Sequence, residues 1–176
     1  MKKSLKDKIK KVKLLVLDVD GILTDGRIIV DDKGQETKNF NVQDGFGIVL
    51  FQRLGFKTAI ISARASEAVK ARAKDLKIDH VHLDAHNKLA VYKQLIKQLK
   101  IDDDHVCFMG DDLPDLAVAQ TAGVTITVPN ACKEIKKEAA WITERQGGHG
   151  AVREAIEMIL ESKNLWNGVI KEYSCA

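Results

Sequence analysis

The run Leu14-Leu15-Val16-Leu17-Asp18-Val19-Asp20-Gly21 constrains this chain more than any other. An unbroken apolar, β-rich stretch reads as a strand buried on both faces, the mark of a parallel sheet. It gives way at once to two carboxylates and a glycine, which mark a loop. In open α/β sheets ligands bind outside the carboxyl ends of the strands, so Asp18 and Asp20 lie where chemistry is done. A second run, Val106-Cys107-Phe108-Met109-Gly110-Asp111-Asp112, repeats the pattern. With both strands central, as many as four carboxylates meet at one edge, and that crowding calls for a cation.

Short apolar strands at 13–17, 57–61, 80–83, 106–109 and 124–128 alternate with helical patterns. Phe46, Leu50 and Leu54 recur at helical spacing, as do Leu89, Tyr92, Ile96 and Leu99; Val152, Ile156 and Ile159 share a final helical face with Leu160 beside them. Alternation of this kind implies right-handed crossovers. The expected fold is α/β, a three-layer doubly wound Rossmann-like arrangement around a central parallel sheet. Residues 27–40 depart from it and read as a small β-hairpin insertion with a glycine-containing turn.

With 176 residues, 45% hydrophobic and 30% charged, one globular domain over 1–176 is expected. A net charge of +3 is too small to argue for nucleic acid. Most of the excess lies in residues 1–12, which read as a solvated, partly frayed basic arm. The arm is no signal peptide, because Asp18 interrupts the apolar stretch behind it. No window approaches a membrane span. Cys107, Cys132 and Cys175 are odd in number and lack metal-like spacing, which indicates reduced thiols and a cytoplasmic location.

The polar residues at the strand ends form a constellation. Ser62 opens Ser62-Ala63-Arg64 just before a helix starting near Ser66, so a hydroxyl and helix-N-terminal amides make a phosphate cradle. Asn87 caps the next helix and places the Lys88 ammonium at its start. Gly110-Asp111-Asp112-Leu113-Pro114-Asp115 makes a rigid acidic corner with proline in a first helical turn. Carboxylates, a hydroxyl and a lysine around one point fit Mg²⁺-dependent phosphoryl transfer, because Mg²⁺ takes few carboxylates, several waters and a substrate phosphate.

Asp18-Val19-Asp20-Gly21-Ile22-Leu23-Thr24, Ser62, Lys88 and Gly110 to Asp115 resemble, in order, the four motifs of the haloacid dehalogenase superfamily of phosphatases. The resemblance implies that Asp18 is the nucleophile and a metal ligand. Asp20 is then the acid and base, its backbone carbonyl also on Mg²⁺. Asp111 binds the metal with Asp112 or Asp115 in support, while Ser62 and Lys88 hold the phosphoryl group. The short intervals between motifs leave no room for a cap domain. Capless members often take their cover from neighbouring subunits, and the resemblance implies a homotetramer.

The hairpin, Phe40-Asn41-Val42-Gln43-Asp44-Gly45-Phe46-Gly47 and Gly147-Gly148-His149-Gly150-Ala151-Val152-Arg153-Glu154 are similar to a capless bacterial subgroup. Its members dephosphorylate eight-carbon acidic sugars for lipopolysaccharide synthesis. This likeness implies that Asn41, Asp44, Gly45, Arg64 and Arg72, with Asp20 and Lys88, bind an acidic sugar phosphate. Arginine suits a substrate carboxylate because its fork grips both oxygens. Ala63 departs from the glycine more usual there, but Ser62 keeps the hydroxyl.

The enzymatic alternative is the same hydrolysis on a nine-carbon sialic-type acid, and a remoter one is a receiver-type phospho-aspartate switch. Against the switch, the third strand ends at Asp84 without the expected setting, and Asp20 supplies the proton transfer that turnover needs. His80, His82 and His86 read as surface or subunit-contact residues. Trp141 and Trp166 read as packing residues. The apolar tail at 164–176 either packs on its own domain or reaches a neighbouring subunit, and the missing cap favours the neighbour.

Overall fold

The computed structural model of the protein describes residues 3–174. Met1 and Lys2 of the expected arm, and Cys175 and Ala176 of the tail, lie outside the described residues. Among the described residues, β1 (Leu14–Leu17), β4 (Lys57–Ile61), β5 (His80–His82), β6 (Val106–Met109), β7 (Val124–Thr127) and β8 (Trp141–Ile142) form one sheet. Their order is β5-β4-β1-β6-β7-β8, and every neighbouring pair is parallel. β2 (Ile29–Val30) and β3 (Glu36–Thr37) pair antiparallel as the separate hairpin. Its turn is held by the Asp31 carboxylate, which accepts from the N–H groups of Lys33 and Gln35, and by Gly34 at φ +77°.

Strand alternation divides the core in two. Leu15, Leu17, Ile60, Cys107 and Met109 face α1 (Lys3–Lys11), α2 (Val42–Arg53), α3 (Glu67–Asp75), α7 (Ala151–Ser162) and α8 (Trp166–Ser174). Leu14, Val16, Ala59, Ile61, Val106 and Phe108 face α4 (Lys88–Leu99), α5 (Leu116–Ala119) and α6 (Lys133–Glu138). Both members of each alternating pair are buried, so both must be apolar, and the strands read as continuous runs. Three layers, doubly wound without a cap, are what the sequence implies.

Three local expectations need correction. The basic arm is not frayed: it forms α1, with Ile9 and Val12 fully buried and Leu5 packed against the same cluster. Leu5, Ile9 and Val12 stand at helical spacing, a narrow apolar stripe that the lysine count obscures. The tail folds back on its own domain as α8. Val169 is buried, Arg53 pairs with Glu172 at 2.9 Å, and the Arg53 and Arg153 guanidiniums lie over Tyr173 and Trp166 at 5.6 and 5.4 Å. Finally, β8 adds an edge strand that its two residues were too few to announce by periodicity.

Candidate active site

Chain order reverses about β1, with β4 on one side and β6 on the other, and such a switch point opens a crevice at the carboxyl ends. Leu17 is in register with Ile60 and with Met109. The Asp18 N–H donates to the Met109 carbonyl at 2.9 Å. The residues that follow the three strands therefore emerge at one level. They line a cleft of about 290 Å³ that brings Asp18, Asp20, Ser62, Arg64, Lys88 and Asp111 together, with Asp112 and Asp115 on its acidic wall. A larger hollow of about 550 Å³ lies by Lys57 and His80, at the amino ends of the strands, and carries one carboxylate, Asp79. Chemistry, not volume, locates the site.

Lys88 is the first residue of α4, whose N-cap Asn87 accepts from the Ala90 N–H at 3.0 Å. That start aims Lys88 back into the cleft, where it is 4% exposed and lies 2.7 Å from Asp18 and 2.6 Å from Asp115. Burial pulls against its charge, but the two carboxylates outweigh burial and hold the ammonium above its ordinary pKa. Asp115 is consumed structurally: its second oxygen accepts from the N–H groups of Asp111 and Asp112. Ser62 is buried, its hydroxyl oxygen accepting from the Arg64 N–H at 3.3 Å.

The remaining carboxylates are short of positive charge. Burial, and then the charge of Asp115, push Asp18 up to about 7 despite Lys88. Burial, Asp115 and Asp112 push Asp111 up to about 7 as well. Oxygens of Asp18, Asp111 and Asp115 lie within 4.8 Å of one another. An all-oxygen donor set with excess negative charge fits Mg²⁺, a hard cation held by few carboxylates. With Asp115 engaged by Lys88 and two amides, Asp18 and Asp111 are the carboxylates left for it.

Glycines make this crowding possible. Gly21 sits at φ +89°, and a Cβ there would come within 2.1 Å of the Asp111 carboxylate. A Cβ on Gly147 would fall 1.7 Å from the Gly21 carbonyl oxygen, so the loop before α7 packs directly on the loop after Asp20. The Gly148 N–H donates to the Ile22 carbonyl at 3.0 Å in the same contact. The glycine-rich stretch before α7 is a tight seam.

On the open side, the hairpin delivers two residues that sequence reasoning missed. Lys38 Nζ lies 2.6 Å from Asp20 Oδ1 and 2.8 Å from Glu36 Oε1. Arg64 Nη2 lies 2.6 Å from Glu36 Oε2, and its Nε stands 3.6 Å from Asp20 Oδ2. Glu36 and Lys38 are two apart, and strand alternation puts such residues on one face. That was the available signal, hidden in a chain with 28 lysines and arginines.

Four expected sugar-binding residues are placed elsewhere in this chain. Asn41 is the N-cap of α2, accepting from the N–H groups of Gln43 and Asp44. Asp44 is 1% exposed and accepts from the Gly150 and Arg153 N–H groups at 3.3 and 2.8 Å, so it caps the start of α7. Burial raises its pKa, with these amides pulling the other way. Gly45 lets α2 approach the Arg72 guanidinium, which pairs with Asp75 at 2.8 Å. Asn41, Asp44, Gly45 and Arg72 gather around a separate crevice with Leu23 and Phe40, not around the carboxylate cleft. Within this chain, helix ends and helix packing engage these side chains.

This fold and acidic cleft define a class. Residues 81–156 match the model of the haloacid dehalogenase-like hydrolases, and the chain belongs to that family. Among its relatives, the 3-deoxy-D-manno-octulosonate 8-phosphate phosphatase of Escherichia coli strain K12 is 37% identical over 153 residues, covering 87% of this chain and 81% of that one. The 3-deoxy-D-manno-octulosonate 8-phosphate phosphatase of Moraxella catarrhalis, crystallised with magnesium ion, phosphate ion and a KDO molecule, is 42% identical. It superposes with a TM-score of 0.96 over 98% of this chain and 99% of its own. A putative subfamily III A hydrolase of the superfamily from Legionella pneumophila is 40% identical, with a TM-score of 0.92 over 98% of this chain and 94% of its own.

Proposed function

We propose that this chain is a Mg²⁺-dependent phosphatase that hydrolyses 3-deoxy-D-manno-octulosonate 8-phosphate to the free sugar acid and inorganic phosphate. The observation that carries this reading is the near-complete superposition on the Moraxella phosphatase crystallised with magnesium, phosphate and KDO. The reaction belongs to lipopolysaccharide sugar synthesis.

Asp18 attacks phosphorus as the bond to the sugar oxygen breaks, and an aspartyl-phosphate forms on its carboxylate. Asp20 gives its proton to the leaving alkoxide, then takes one from the water that attacks the acyl phosphate. Inorganic phosphate leaves and Asp18 is restored. The Ser62 hydroxyl and the Lys88 ammonium hold the phosphoryl oxygens, and Lys88 also keeps Asp18 oriented from 2.7 Å. Asp18, Asp111 and the Asp20 carbonyl would hold Mg²⁺, which when bound screens repulsion between the nucleophile and the phosphoryl oxygens. Arg64, at the open side of the cleft and 45% exposed in its side chain, is the residue for the sugar carboxylate.

The chain acts as one domain over 1–176 and, in this reading, as a cytoplasmic homotetramer whose neighbouring subunits cover the cleft. Supporting this, the hairpin presents Ile28, Ile29 and Val30 to solvent, each at least 42% exposed, and α2 presents Val42 at 77%. Apolar surface grouped this way suits association. Among the described residues no helix is long and apolar enough to cross a membrane.

Phosphate release from the eight-carbon substrate, with and without Mg²⁺, tests the reading. Robust Mg²⁺-dependent turnover is expected. A higher kcat/KM for a nine-carbon sialic-type acid phosphate would assign the chain to that substrate instead.

A further inference from the structure

We propose that Lys38 is a positioning residue for catalysis: its buried ammonium fixes the Asp20 carboxylate where that group serves the leaving sugar oxygen. The proposal rests on the phosphatase reading, with Asp20 as the acid and base.

The geometry is unusual for a lysine. Its side chain is 1% exposed, whereas those of its partners Asp20 and Glu36 are 23% and 21% exposed. An ammonium is strongly hydrated, and burying it is costly unless close carboxylates replace the water. Here both do, at 2.6 and 2.8 Å. Exposed lysine pairs are loose and contribute little; a lysine enclosed between two carboxylates has lost that freedom, and so has the group it holds.

Asp20 needs such a hold. It precedes Gly21 at φ +89° on a loop rather than a strand, and its step demands placement. As the bond from phosphorus to the sugar oxygen breaks, the Asp20 proton must move to that oxygen across one hydrogen bond. Lys38 ties down Oδ1, and Arg64 faces Oδ2 at 3.6 Å. Glu36 completes the frame by binding Lys38 and Arg64 together. The hairpin thus has a catalytic use: Glu36 in its second strand and Lys38 just beyond that strand, with Arg64, set the Asp20 carboxylate in one orientation.

A leaving-group comparison tests this. First-turnover product release is measured by rapid quench at saturating Mg²⁺, for the sugar phosphate and for 4-nitrophenyl phosphate. A sugar alkoxide needs a proton to depart and 4-nitrophenolate does not. Lys38→Met is expected to slow release from the sugar phosphate about 10- to 100-fold, up to the lower end of a general acid's contribution, and to change 4-nitrophenyl phosphate by less than about threefold. Lys38→Arg, which keeps a cation in reach of both carboxylates, is expected to recover part of the loss. If Lys38→Met folds poorly, Lys38→Met/Glu36→Gln removes the unbalanced charge and is expected to give the same contrast. Equal losses on both phosphates, or no loss on the sugar phosphate, would overturn the proposal. Inactivity of the wild-type protein toward the sugar phosphate would instead sink the phosphatase reading, before any variant is made.

Discussion

Lys88 Nζ lies 2.7 Å from the Asp18 carboxylate, and both side chains are less than one-tenth exposed. In the proposed mechanism, the nucleophile and a phosphate-binding cation are thereby held in contact before substrate arrives. The contact depends on α4 beginning at Lys88 itself, after Asn87 has closed the cap.

Lys88→Met should leave Asp18 and Asp115 buried without their shared counter-charge. The expected cost is about 3–5 kcal/mol of stability, the usual result of breaking a buried pair. Activity should fall at least about a hundredfold, as when one oxyanion-stabilising donor is lost. Chemical denaturation and steady-state kinetics check the two effects; a variant as stable and active as the parent would refute both.

Asp18→Asn should reduce turnover by at least about a thousandfold, on the scale of removing a nucleophile. Because the substitution removes charge from a crowded acidic wall, the fold should survive it, with a thermal midpoint no lower than that of the metal-free parent. Substantial residual phosphate release would contradict the role given to Asp18.

The metal-free protein should lose stability as pH rises. Asp18 and Asp111 are held at about 7 in the folded chain against an ordinary 3.8. Between those values the folded state binds more protons than the unfolded one, so stability falls from about pH 4 toward pH 7 and the penalty is complete above it. Mg²⁺ replaces the protons, and its stabilising effect should grow over the same interval. Thermal midpoints with Mg²⁺ and with a chelator, at pH 5.5 and pH 8, should differ more at pH 8, at roughly 2–4 °C per kcal/mol for a chain of this size. An equal gap at both pH values would show that these two groups do not carry the effect.

Gly147→Ala should damage the site from a distance. Its Cβ would sit 1.7 Å from the Gly21 carbonyl oxygen, backbone against backbone, so the loop behind Asp20 must move. Overpacking of this kind costs about 1–3 kcal/mol, and kcat should fall with it. Gly168→Ala, whose Cβ would meet nothing within 4 Å on α8, is the control; it should leave kcat unchanged and cost no stability, since alanine favours a helix over glycine.

Ile29→Glu on the exposed hairpin should shift the proposed tetramer toward smaller species, as read by light scattering after size-exclusion chromatography. An unchanged mass would remove the hairpin from the proposed subunit contact.

The sheet was legible because burial on both faces forces unbroken apolar runs, and the cleft because its residues follow those runs directly. What stayed hidden depends on partners distant in the chain. Asp44 stands close to the motifs in sequence, and in the fold its partners are the amides of Gly150 and Arg153. Lys38 looked like one lysine among many until the hairpin turned it onto Asp20. In α1, lysines surround the Ile9 stripe, and charge counting alone cannot separate a solvated arm from an amphipathic helix docked on α7.

The place of β1 in the sheet has a consequence for how the protein is made. It precedes both of its neighbours in the chain, so one of its edges waits for the strand that begins at Lys57 and the other for the strand that begins at Val106. Until then a wholly apolar ribbon has both rows of peptide groups unpaired, the state most open to misassociation during synthesis. Such long-range pairing also slows folding. The nascent chain therefore carries its proposed nucleophile, Asp18, at the end of a vulnerable strand, and only the strands that complete the candidate site make that strand safe.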